Sequence, residues 1–159
     1  MPCMQFLSDW GTPDQVLLLN FGDEVLKRFR TYVQTGPLPE AGGILLGTVH
    51  QQGLLITKAT KPTRADCRMQ YFFQRNETGH RVIARRNYDA TNGTLRYLGE
   101  WHTHPQDVPS PSPLDILEWK KLARKRVDQR PLLAVIVGRK ALYVELVYRD
   151  GLRTKLTAL

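Results

Sequence analysis

The run Glu100-Trp101-His102-Thr103-His104-Pro105, followed closely by Ser112-Pro113-Leu114-Asp115, constrains this chain more than any other stretch. Pro105 has no N–H to offer a sheet ladder, so a strand ends there. Ser112 at an N-cap, Pro113 in the first turn and Asp115 at the third position spell a helix start, a variant of the capping box. The chain must therefore leave a strand at His104, cross a proline-rich loop and enter a helix at Ser112. Side chains alternate across a strand, so Glu100, His102 and His104 project to one face and Trp101 and Thr103 to the other. Two imidazoles thus stand at the end of the strand, a few residues from a hydroxyl and a carboxylate.

Two readings of these residues stand side by side. His-x-His is also what an ordinary surface strand shows, and Ser112 and Asp115 are accounted for by helix capping alone. The alternative is a metal site of three protein ligands with a fourth position left to water, the arrangement of a catalytic zinc. The readings are compatible, because a first helical turn is a rigid place to mount a ligand.

The rest of the chain supplies the frame. Val16 to Asn20 reads as a short strand, and Asp23 to Val33 as a helix with Val25, Leu26, Phe29 and Val33 at helical spacing. Gly36-Pro37-Leu38-Pro39 breaks it. In Glu40-Ala-Gly-Gly-Ile-Leu-Leu-Gly47, the glycines at 42, 43 and 47 argue for a buried strand that neighbouring backbone approaches closely. Gln51-Gln52-Gly53 turns into a returning strand, Leu54 to Ala59. Thr60 to Met69 reads as a loop and Gln70 to Gln74 as a short aromatic strand. Asn76 caps a helix over Glu77 to Ala90, with Val82, Ile83 and Tyr88 as apolar markers, ended by Thr91-Asn92-Gly93. Leu95 to Thr103 is a strand. A helix from Ser112 to about Val127 carries Leu114, Ile116, Leu117 and Leu122. Pro131 to Val137 and Ala141 to Val147 form a hairpin around Gly138-Arg139-Lys140. The tail from Arg149 reads as loosely held. Strands separated by a few helices, with at least two hairpins, indicate an α/β (α+β) fold with a mixed sheet, in a single domain over residues 1–159.

Composition narrows the function. Of 159 residues, 42% are hydrophobic, enough for a sizeable core. No apolar run approaches the roughly 20 residues that cross a bilayer. The first residues lack the basic and apolar regions of a signal peptide, so the expected location is the cytoplasm, with no membrane partner. The formal net charge is +8. Part of the excess lies in Lys120-Lys121-Leu-Ala-Arg124-Lys125-Arg126, either a solvated helix face or a surface for nucleic acid or an acidic partner. No aromatic residues interleave with these charges, and a nucleic-acid partner is not expected. Cys3 and Cys67 are far apart in sequence, and a disulfide between them is not expected.

His102-Thr103-His104-Pro105, six residues, Ser112, two residues, Asp115 is similar to the signature of the JAB/JAMM (MPN-type) zinc metallopeptidases, with every required position filled. That family also has an upstream Glu before an apolar, glycine-containing strand, and Glu40 to Gly47 resembles that segment in the same chain order. The resemblance covers about residues 16–149. It implies one JAB/MPN domain, a mixed curved sheet flanked by helices in a cytidine-deaminase-like arrangement. It further implies one zinc ion held by His102, His104 and Asp115, whose bound water would ionise at about pH 7 rather than about 15.7. Glu40 would take that water's proton and pass it to the leaving amine. Ser112 would donate a hydrogen bond to the oxyanion of the tetrahedral intermediate.

Two further residues carry paired readings. Glu100 shares the ligands' face, and either orients an imidazole by accepting its second ring N–H or forms a structural salt bridge. Cys67 is read as a free thiol, with a thiolate reaching the open zinc position as the alternative.

Tyr97 to Pro105 resembles the stand-alone bacterial subgroup found with ubiquitin-like conjugation enzymes, in particular the deconjugating peptidases of CBASS antiphage operons. That resemblance implies an isopeptidase (a deubiquitinase-like hydrolase) that frees the C-terminus of a cyclic-oligonucleotide synthase, or CD-NTase, from its target. Its functional antagonist would be a ubiquitin-type activating and conjugating ligase. A peptidase for ubiquitin-like or sulfur-carrier tails, and from another class an idle MPN scaffold or nucleic-acid-binding module, remain as alternatives. Loops Thr60 to Met69 and Pro105 to Pro111 are the expected walls of a cleft for an extended tail, which a sheet edge can pair.

Overall fold

In the computed structural model the described residues are 6–159, and Cys3, with any pairing it makes, lies outside them. Strand β1 (Asp9–Gly11), which the sequence did not signal, turns back into β2 (Leu18–Phe21). The expected strand over Val16 to Asn20 thus starts two residues later and ends one later, and Val16 is exposed. Helix α1 (Asp23–Thr31) follows, with Asp23 and Glu24 in its first turn, Arg28 and Arg30 in its last, and Val25, Leu26 and Phe29 buried. That charge order suits the helix dipole. Strands β3 (Gly42–His50) and β4 (Gly53–Ala59) form the expected hairpin. Strands β5 (Cys67–Met69) and β6 (Phe72–Gln74) pair as a separate antiparallel ribbon. Residues 67–69 therefore belong to a strand, not to the loop expected there.

Helix α2 (Glu77–Ala90) has the anticipated bounds, and the Asn76 side chain accepts from the Thr78 N–H. Its buried face differs from the expected one. Val82 and Tyr88 are exposed, while His80 is wholly buried. The polar contacts of His80 explain this: one ring nitrogen lies 2.7 Å from Thr60 Oγ1 and the other 3.0 Å from an Asp66 oxygen. The helix is held by these bonds and by Ile83 and Ala84, rather than by a broad apolar stripe.

Next come β7 (Arg96–Thr103), helix α3 (Pro113–Lys125), β8 (Leu132–Val137) and β9 (Leu142–Val147). Trp119 and Ala123 are the buried residues of α3, whereas Leu114 and Leu117 are about half exposed. Arg126 is not part of a solvated basic face. Its guanidinium is buried and donates to the carbonyls of Tyr97, Leu98 and Pro131, closing the end of α3 onto β7. Finally β10 (Arg153–Lys155) and β11 (Thr157–Ala158) pair with β9 and β1, so the tail is tied in at both ends of the sheet, with Leu156 fully buried between them.

The nine-stranded sheet has the order β10-β9-β8-β7-β3-β4-β2-β1-β11. The pairs β2–β4 and β7–β8 are parallel and the others antiparallel, giving the expected mixed α/β fold. One face packs Trp101, Leu133, Val135 and Leu45 against Phe29 and Val25 of α1. The opposite face packs Ile136, Ala134 and Leu132 against Trp119 and Ala123 of α3, and Ile44 and Leu46 beside α2. Burying each of the Leu, Ile, Val and Phe side chains among them contributes about 1.5–3 kcal/mol. Register shifts in β3 next to Leu46 mark bulges that bend the strand. The expected close approach at the glycines is real: a Cβ on Gly43 would meet the Thr60 backbone, and one on Gly47 the Leu55 carbonyl.

Candidate active site

Strand β7 carries the two histidines into the gap between α3 and the β5–β6 ribbon. His104 lies one residue past the strand end, and its N–H donates to the Val137 carbonyl at 3.0 Å, so the ladder holds it in register. The alternation read from the sequence is observed. Trp101 and Thr103 are buried, Trp101 against Phe29 of α1, and the two imidazoles face the other way. Their Nε2 atoms are 3.0 Å apart.

Helix α3 brings in the carboxylate. Ser112 Oγ accepts from the Asp115 N–H at 3.1 Å, and Asp115 Oδ2 accepts from the Ser112 N–H at 2.8 Å, completing a capping box. The box fixes the Asp115 rotamer, with Oδ1 3.3 Å from His102 Nε2 and Oδ2 3.2 Å from His104 Nε2. Capping and ligand geometry thus coexist in the same residues. As an acceptor from Asp115, the Ser112 hydroxyl keeps its own hydrogen for another partner.

Glu40 precedes β3 and reaches the same point from the other side. Its Oε1 is 3.9 Å from His104 Nε2, and its carboxylate and the two imidazoles could hold a cation together, their nearest atoms lying within 4.8 Å of one another. Burial pushes the Glu40 carboxyl up to about 7, with His104 opposing the rise and Asp115 adding to it. Burial acts the same way on Asp115, but hydrogen bonds from His102 and His104 outweigh it and hold this carboxyl well below the usual range. Burial would lower His104, yet its hydrogen bonds to Asp115 and Gln106 raise it.

The donor set fits a divalent metal. Two imidazole nitrogens this close cannot both turn lone pairs toward each other unless a proton or a cation lies between them. Ligand atoms about 2.0–2.1 Å from a tetrahedral zinc stand roughly 3.3 Å apart. The separations of 3.0 Å between the imidazole Nε2 atoms, 3.3 Å from His102 to Asp115 Oδ1 and 3.2 Å from His104 to Asp115 Oδ2 match that spacing more closely than the 3.9 Å from His104 to Glu40.

Gln106 belongs to the site although the sequence reading passed over it. Its Oε1 lies 3.0 Å from His104 Nδ1, which fixes the tautomer by accepting a hydrogen bond from Nδ1–H and leaves Nε2 free as a ligand atom. Only its position two residues after His104 could have drawn notice. Glu100 lines the same cleft, but its carboxylate is engaged by Arg75 in a two-pronged ion pair and by the Tyr97 hydroxyl at 2.7 Å. Its bonds are those of a structural salt bridge and not of a carboxylate orienting an imidazole. Cys67 is exposed on β5 and is not among the residues lining the cleft.

The cleft encloses about 740 Å³. One wall is Tyr71, Phe72 and Phe73 of the ribbon, the other Leu114, Trp119 and Leu122 of α3. The expected wall from Pro105 to Pro111 is present in part, but the aromatic ribbon takes the place given to Thr60 to Met69.

Residues 22–148 match the family described as prokaryotic homologues of the JAB domain. A protein of Pseudomonas aeruginosa (strain BWHPSA011) named CD-NTase/cGAS isopeptidase is 52% identical over 149 residues, covering 93% of this chain and 94% of that one. A protein of the same name from Escherichia coli (strain TW11681) is 37% identical over 122 residues, 76% of each chain. A Desulfitobacterium hafniense protein of known solution structure shares the fold, with a TM-score of 0.59 and 16% identity over 86% of this chain and 88% of that one.

Proposed function

We propose that this chain, which belongs to the prokaryotic JAB-domain family, is a zinc-dependent isopeptidase that releases a CD-NTase from a target joined to its C-terminus. Membership of the family rests on the match over residues 22–148 and on the relative 52% identical across nearly the whole chain. The observation that carries the reading is the triangle of His102, His104 and Asp115 with Glu40 beside it, open to a cleft. A triangle this tight, with Glu40 intact next to it, favours an enzyme over an idle scaffold.

His102, His104 and Asp115 are the residues that would hold zinc, which when bound supplies a Lewis acid and an acidified water. Glu40, buried and with its carboxyl raised to about 7, is suited to accept a proton near neutral pH and to release it to the leaving amine. Ser112 turns its free hydroxyl hydrogen to the oxyanion that forms as the isopeptide carbonyl is attacked. Gln106 holds the His104 ring in its working tautomer.

The substrate assignment draws on the relatives named CD-NTase/cGAS isopeptidases. In a bacterial cytoplasm carrying a CBASS defence operon, the enzyme would undo the work of a ubiquitin-type activating and conjugating ligase. The test is cleavage of a fusion at a CD-NTase C-terminus by zinc-loaded wild-type protein, by chelated protein and by Glu40→Ala. Cleavage is expected only from the first, with zinc still bound in Glu40→Ala. Absence of cleavage by zinc-loaded wild type overturns the substrate, and wild-type turnover by Glu40→Ala overturns the role of Glu40.

A further inference from the structure

We infer that Gln34 is a positioning residue for Glu40, coupling the strand that carries the histidines to the ribbon that walls the cleft; the inference rests on the role proposed above for Glu40. Gln34 lies just beyond α1, and its side chain is fully buried although it is polar. Its Oε1 accepts from Thr103 Oγ1 at 3.0 Å, and its Nε2 donates to the carbonyls of Leu38 at 2.9 Å and Gln70 at 2.8 Å. Carbonyls only accept, so the amide can face them in one orientation alone.

These bonds converge on the peptide groups around Glu40. The Glu40 N–H donates to the Met69 carbonyl at 2.7 Å, and its carbonyl accepts from Arg68 Nε at 2.9 Å, both in the ribbon. The next residue is held by β7: the Ala41 N–H donates to Thr103 Oγ1 at 2.9 Å, and the Ala41 carbonyl accepts from the Thr103 N–H at 2.8 Å. Thr103 sits between His102 and His104 on the opposite face of the strand. Its hydroxyl has one hydrogen, which Gln34 takes, leaving the oxygen turned toward Ala41. Glu40 is therefore clamped between β7 and the ribbon, and the Gln34 amide is the only side chain among the described residues that bonds to Thr103 and to the ribbon turn at once.

An apolar residue at 34 would leave the Thr103 hydroxyl and two carbonyls without these partners, a costly arrangement in a buried site. Chemistry by Glu40 depends on placing its carboxylate to within about half an ångström, which loop residues achieve only when their neighbours are locked. The clamp supplies that lock, so that the ribbon and Glu40 move as one body.

The test uses the full chain and Gln34→Met, which keeps the length and volume and removes the hydrogen bonds. Turnover of the conjugate should fall at least tenfold, with KM changed less than threefold and zinc content unchanged. Amide exchange at Glu40 and Ala41 should accelerate at least tenfold while the strand β8 amides stay as in wild type. Thr103→Val should reproduce the defect without adding to it in the double variant, and Thr103→Ser should restore most of the rate. Wild-type turnover in both Gln34→Met and Thr103→Val overturns the inference, as does loss of zinc in step with turnover. Unaltered exchange at Glu40 and Ala41 also overturns it, and this needs no turnover at all. An inactive wild-type protein counts against the proposed function instead.

Discussion

The Nε2 atoms of His102 and His104 stand 3.0 Å apart on one face of the same strand, and each is within 3.3 Å of an Asp115 oxygen. Two imidazoles and one carboxylate at that separation are spaced as the ligands of a single cation would be. They come from a strand end and a helix start, and their spacing follows from sheet register on one side and a capping box on the other.

Asp115→Asn should lower zinc affinity at least about tenfold, because it removes the carboxylate charge that lies within 3.3 Å of both imidazoles. Competition with a chromophoric chelator measures this. Wild-type affinity would remove Asp115 from the ligand set.

Ser112 combines two roles that substitutions can separate. Ser112→Ala should cost about 1 kcal/mol of stability through loss of the N-cap. It should also lower kcat by about 10²–10³, the effect of deleting one oxyanion donor. Glycine caps nearly as well as serine, so Ser112→Gly should lose kcat to the same extent and only a few tenths of a kcal/mol of stability. Equal kcat in Ser112→Gly and wild type would leave the cap as the residue's whole role.

The zinc-free protein should become less stable as pH rises from about 4.5 to about 7. Glu40 is raised from 4.5 to about 7 in the folded state, so over that interval the folded chain binds more protons than the unfolded one. Its contribution is fully present below the unfolded value and is lost as pH passes through the folded one, about 3 kcal/mol in all. His104, also raised, acts in the same direction at higher pH. Asp115, held low, loses its contribution only in acid below the usual carboxylate range. Urea unfolding of chelated Glu40→Gln should show a flatter dependence over this window; the same slope as wild type would contradict the assignment.

Gly42→Ala should disrupt the cleft. A Cβ at Gly42 would lie 2.5 Å from the Trp101 carbonyl oxygen and 2.6 Å from Phe73 Cε1. The carbonyl belongs to the strand that bears His102, so β3 must shift against β7 and Phe73 must give way in the ribbon, at a cost of about 1–3 kcal/mol. Chemical denaturation and kcat/KM measured together should both fall; a neutral result would mean that the strands and the ribbon adjust freely.

Much of this was legible in the residues. Pro105 and the Ser112–Asp115 box marked the strand–loop–helix unit, since backbone donors and caps act locally. Alternation put Glu100, His102 and His104 on one face, and the helix over Glu77 to Ala90 followed from its cap and its stop. Other elements did not show. The tail from Arg149 looked loose because its short strands gain their hydrogen bonds from distant β9 and β1. The apolar markers Val82, Tyr88, Leu114 and Leu117 ended near the surface, since helical spacing says that a face exists and not which partner will cover it.

The sequence by itself determined the chemistry: which groups are present, and that two histidines and an aspartate sit at a strand end and a helix start. The resemblance pointed to Glu40, but only the tertiary structure decided how its carboxylate stands to the histidines, that Arg75 and not an imidazole takes Glu100, and that Gln34 and Gln106 hold the parts in place. Local spacing acts through covalent geometry and near-neighbour hydrogen bonds, whereas these contacts join residues far apart in the chain or depend on which oxygen a side chain meets once the sheet has closed.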